Sequence, residues 1–196
     1  VLWKLLAAAL ATSLAWCPMA ATAGPFGFSM GDPISRYRAR PSGEPGVYII
    51  ANPPFPRPDM DFYSVVATPQ NGVCKIIVAT KTNESDPYGA ALRSDFSGLQ
   101  AALASKYGAP SDTYDLLKNG AVWGQDREFT MSLKENDRIL STFWKLSSAD
   151  QIEGVATIML VGKALSADAN YVSLSYEFAN FDLCIDELHA RADSAL

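Results

Sequence analysis

Apolar and polar side chains alternate most cleanly near the end of the chain. Val172, Leu174, Tyr176 and Phe178 fall on one side of residues 171–178, and Ser173, Ser175 and Glu177 on the other. A period of two predicts a half-buried antiparallel strand. Other stretches repeat the signal less cleanly at Val47–Ala51, Phe62–Ala67, Val73–Lys81, Phe129–Leu133, Arg138–Leu146 and Val155–Val161. Pro69-Gln70-Asn71-Gly72 is turn chemistry and predicts a hairpin between the second and third of these runs. Pro53, Pro54, Pro56 and Pro58 cannot pair inside a sheet and predict an extended loop or edge.

The period changes to helical in three places. Phe96, Leu99, Leu103 and Tyr107 recur at helical spacing within Ser94–Tyr107, with Gly108 as the left-handed stop and Pro110 beyond it. Phe181, Cys184, Ile185 and Leu188 predict a C-terminal helix. Asp32-Pro33 predicts the start of a short helix, with Asp as cap, that buries Ile34 and Tyr37. The order is short helix, three strands, helix, four strands, terminal helix. Runs of strands broken by isolated helices predict an α+β fold. Its antiparallel sheet has about six to seven strands, with a central and a C-terminal helix packed on it. The strands form one unit or two tandem helix-plus-strands modules.

Residues 1–23 read as a cleavable signal peptide. Lys4 supplies the positive start, Leu5–Trp16 the apolar stretch, and Ala21-Thr22-Ala23 the small-x-small cleavage pattern. The apolar run is too short for a good membrane anchor. Leu14-Ala15-Trp16-Cys17 has the outline of a lipobox, but Trp16 stands where a small residue belongs. The expected mature protein, residues 24–196, is a single periplasmic or secreted domain with no membrane span.

Losing Lys4 leaves 15 basic and 21 acidic residues, a net charge of −6. Such a domain is a poor nucleic-acid binder, since phosphate contacts need Lys and Arg. Cleavage also removes Cys17, and the two cysteines that remain, Cys74 and Cys184, are expected to pair in an oxidising compartment. That link would pin the C-terminal helix to the strand beginning at Val73.

Candidate chemistry is sparse. His189 is the only histidine and falls beside the apolar stripe of a terminal helix, where a surface role outweighs a general base. No Cys/His cluster suggests a metal, no glycine loop suggests a phosphate, and no cofactor is expected. The carboxylate pairs Asp59/Asp61 and Glu84/Asp86 are the remaining enzymatic route, and solvated loop acids explain them as well.

Surface recognition has more behind it. Leu140, Thr142, Trp144 and Leu146 make a core face for their strand, matched by Phe129, Met131 and Leu133. Ile139 and Phe143 then point the other way. Either a helix covers them or they form an exposed apolar patch of the kind that marks interfaces. Phe55 in the proline loop is a second candidate; edge protection is its other reading.

Four features carry a resemblance: the signal peptide, Gly72–Ile76 (Gly-Val-Cys-Lys-Ile), the helix end Leu99–Gly108, and Leu174–Asn180 before the second cysteine. Together they resemble a family of small exported proteobacterial proteins that brings no catalytic residues with it. At fold level the chain also looks like the modules of the β-lactamase inhibitor protein and of small outer-membrane assembly lipoproteins. The expected function is non-catalytic binding of a protein partner, as inhibitor, immunity factor or assembly accessory. A small-molecule or lipid binder is the alternative, followed by a carboxylate-dependent hydrolase.

Overall fold

The structure, a computed structural model, describes residues 23–194. The signal-peptide reading, with Cys17, lies outside the described residues except at Ala23. The fold is α+β. Eight strands form one antiparallel sheet: β1 (Ala39–Pro41), β2 (Val47–Ile50), β3 (Met60–Thr68), β4 (Gly72–Thr80), β5 (Asp112–Leu117), β6 (Arg138–Lys145), β7 (Val155–Ala164) and β8 (Asn170–Phe178). Three α-helices accompany them: α1 (Ala90–Tyr107), α2 (Phe129–Lys134) and α3 (Phe181–Asp193). The spatial order is β1-β2-β3-β4-β8-β7-β6-β5. Two four-stranded meanders therefore meet edge to edge at β4 and β8.

The predicted alternation of β8 holds. Val172, Leu174, Tyr176 and Phe178 are buried and face α1. The main core lies on that face, where Leu92, Phe96, Leu99 and Leu103 of α1 and Phe129 and Leu133 of α2 cover Ile76, Val78, Ile158 and Leu160 of the central strands. Trp144 is fully buried there, and its indole N–H donates to the Gly108 carbonyl at the end of α1 (2.9 Å). The hydrogen bond satisfies the one polar atom of a large apolar side chain.

Several sequence expectations need correction. Phe129–Leu133 is not a strand but part of α2, and the partner of β6 is β5. The polar residues that mimicked an outward strand face are buried. Thr130 Oγ1 donates to the Asp86 carbonyl (2.5 Å) and Ser132 Oγ to the Phe129 carbonyl (2.7 Å). The first helix is only a 3₁₀ turn, Ile34–Arg36, and Asp32 does not cap it; its carboxylate instead accepts from Arg36 Nη1 and the Tyr37 hydroxyl. The main helix starts at Ala90, four residues before Ser94.

Cys74 and Cys184 are joined in a disulfide. Simple alternation would place Cys74 with Ile76 and Val78 in the main core. A bulge prevents this: Val66 pairs with Lys75 and Ala67 with Val73, leaving Cys74 as the extra residue. Its sulfur therefore turns to the opposite face, where it meets Cys184 of α3 in a small cluster with Val66, Phe181 and Leu188. Gly72 begins β4 with a positive φ of 63°, and a Cβ there would collide with the Gly31 carbonyl oxygen. Glu187 of α3 accepts from the Gln70 amide and Asn71 Nδ2, tying the helix to the β3–β4 turn.

Candidate functional site

α1 and α2 occupy one face of the sheet, and α3 covers only the β3–β4 corner of the other. Among the described residues the rest of that second face carries no helix. Its rows follow from the strand register. Phe62, Ala79, Ser173, Val161, Ser141 and Tyr114 lie side by side on β3, β4, β8, β7, β6 and β5. The adjacent row is Ser64, Ile77, Ser175, Met159, Phe143 and Asp112. Serines on central β8 keep the middle low, while apolar side chains stand on both sides. The result is a shallow trough across six strands.

Ile139 and Phe143 belong to this open face. Ile139 is 37% exposed and pairs with Leu116 of β5, itself 39% exposed. Phe143 is half-buried, with the Tyr114 ring edge-on at 6.1 Å. At the other end, Phe62 is exposed beside a hollow of about 410 Å³ lined by Ile77, Tyr171 and Leu165 among others. Apolar side chains at the two ends, polar ones between them and a hollow able to take an anchoring side chain are parts found in protein-recognition surfaces.

Phe55 lies elsewhere. Its ring is 64% exposed and lines a cavity on the α1 side of the sheet, with Phe26, Leu103 and Tyr176. The structure thus brings Ile139 and Phe143 together and separates Phe55 from them. Tyr114 and Leu116 were missed because β5 gives no clear strand signal.

One acid of each pair is engaged in structure, Asp59 and Asp86, while Asp61 and Glu84 are exposed. Arg57 grips Asp59 through Nε (2.9 Å) and Nη2 (2.6 Å), while Asp61 is exposed on β3. Asp86 is buried, and its two carboxylate oxygens accept from the Ala90 and Leu92 amides at the start of α1 (2.7 and 3.1 Å) and from Asn170 Nδ2 (3.1 Å). Burial opposes its charge, but the bonds from Asn170 and these amides outweigh that and hold it below the usual carboxylate range. His189 is exposed on α3. Among the described residues no group of three or more His, Cys, Asp or Glu is placed to hold a metal, and no helix is long and apolar enough to cross a membrane. The chain matches no family model, no curated protein and no solved structure.

Proposed function

We propose that this is an exported, non-catalytic protein that binds a protein partner across the open face of its sheet, as an inhibitor, immunity factor or assembly accessory. The observation that carries the reading is the helix-free trough, with Ile139, Phe143, Tyr114 and Leu116 at one end and Phe62 at the other. A sheet face facing only water needs no such row, and contiguous exposed apolar surface marks interaction sites. The disulfide agrees with an oxidising compartment such as the periplasm. The resemblance to small exported proteobacterial proteins points the same way. A hydrolase reading is disfavoured by the occupation of Asp59 and Asp86 in structural bonds.

The test is the double substitution Ile139→Ser and Phe143→Ser. Both side chains stand on the open face, so the variant should retain its cooperative melt. Two lost apolar anchors should weaken a partner captured from periplasmic extract by about 100-fold, since a central apolar contact contributes about 1–2 kcal/mol or more. Unchanged affinity in a folded variant would place the interface elsewhere.

A further inference from the structure

On the other side of the sheet, the N-terminal segment and α1 enclose a cavity of about 280 Å³. Its walls are apolar: Phe26 and Phe55 on one side, Leu99 and Leu103 of α1 on the other, and Leu174 of β8 as floor. Phe26 has a left-handed backbone (φ 56°, ψ 17°), uncommon for a bulky residue. Its carbonyl accepts from the Phe55 amide (3.0 Å), which ties the two aromatic walls together. Phe26 also packs edge-on against Tyr176, with ring centroids 6.1 Å apart.

The polar groups at this cavity are donors. Tyr176 is 6% exposed and lines it, and its hydroxyl has no hydrogen-bond partner among the described residues. The sealed side-chain atom lacking a partner among those residues is Asn180 Oδ1, so the Tyr176 hydroxyl is not sealed and opens into the cavity. Burial, then the neighbouring Tyr107, pushes its ionisation above the ordinary phenol range, so it keeps its proton. Arg57 and Lys106 also line the site. Each is also paired with an acid outside it, Arg57 with Asp59 and Lys106 with Glu153. Arg57 bonds Asp59 through Nε and Nη2, leaving Nη1 free for another acceptor.

We propose that this cavity binds a small amphipathic monocarboxylate, its apolar body between Phe26, Leu103 and Leu174 and its carboxylate accepting from the Tyr176 hydroxyl and the Arg57 and Lys106 cations. An apolar pocket with a few convergent polar groups is the usual design of a small-molecule site. No acid lines it to favour a cation, and the unused donor favours an acceptor over a plain hydrocarbon. The site lies across the sheet from the trough and stands or falls separately from the partner-binding reading.

Titration calorimetry on the oxidised protein with hexanoate, octanoate and octanol tests this. Octanoate should bind saturably at one site, about fourfold tighter per methylene added from hexanoate. Tyr176→Phe keeps the ring and removes only the hydroxyl; it should weaken octanoate about tenfold or more and octanol, an uncharged acceptor, by less. Ala102→Trp, at an exposed helix position lining the cavity, should abolish binding of both. A thermal melt checks each variant, and Ala102→Trp decides alone if Tyr176→Phe does not fold. Absence of saturable octanoate binding overturns the proposal, as does binding that folded variants leave unchanged.

Discussion

Asp86 caps the foot of α1 and, through Asn170 and Thr130, fastens α1 and α2 to β8. Asp86→Asn keeps the shape but gives one acceptor oxygen where two are used. It should cost about 1–2 kcal/mol in denaturant unfolding, the usual scale for losing a helix cap. Because the folded carboxyl titrates below its unfolded value, its contribution is present above the ordinary carboxylate pKa and is lost as pH falls through the folded one. Tyr37 behaves in the opposite sense. Burial, then its hydrogen bond to Asp32, raises its pKa from 10.0 to about 12. The associated stability is complete below the unfolded value and should disappear between about pH 10 and 12. The difference between the ultraviolet phenol titrations of the protein and of Tyr37→Phe should show Tyr37 ionising late; an ordinary midpoint for Tyr37 would contradict the hydrogen-bonded geometry.

The elements were legible in proportion to how much core they bury. β3, β4, β7 and β8 alternate or run apolar because one or both faces are covered, and α1 carries a stripe that sits directly on the sheet. The two strands that escaped the pattern, β1 and β5, are the two sheet edges. β5 reads Asp112-Thr-Tyr-Asp-Leu-Leu and is mostly exposed, and β1 ends in Pro41. Edge strands need no buried face, and charge or proline there blocks further pairing. α2 was misread because five residues cannot separate the two periods when Thr130 and Ser132 are buried on hydrogen bonds to backbone carbonyls, one distant and one local. Thr130→Val should therefore cost about 1 kcal/mol although it adds apolar surface, because it removes one of the hydrogen bonds to the Asp86 carbonyl. The disulfide was legible by elimination, but the bulge that aims Cys74 at α3 was not. α3 rests on a small cluster, so the bond carries much of its attachment. Closing a loop of sequence separation 110 is worth at most about 4–5 kcal/mol. Reduction should raise hydrogen exchange across 181–193 first, while β4 and β8 stay protected. Equal loss of protection in α3 and the central strands would contradict a locally anchored helix.

At the scale of the whole molecule, the asymmetry between the two faces is what the partner-binding proposal rests on. One face is covered by α1, α2 and the N-terminal segment; among the described residues the other is left open apart from the α3 corner. Part of that face was visible in the sequence, since Ile139 and Phe143 break an otherwise explained alternation. Its extension to Tyr114, Leu116, Met159 and Phe62 was not, because it depends on an order that places β5 beside β6 and joins the meanders at β4 and β8. The Tyr176 cavity was equally hidden: Tyr176 reads as one more core residue until the N-terminal segment is seen against it. The most direct measurement is site-specific photo-crosslinking in the producing cell. A benzophenone side chain at Phe143 samples the open face, and one at Ala101, exposed on α1, samples the covered side. The account predicts a discrete protein adduct from position 143 and none from position 101. An adduct from position 101 alone, or none from position 143, would contradict it.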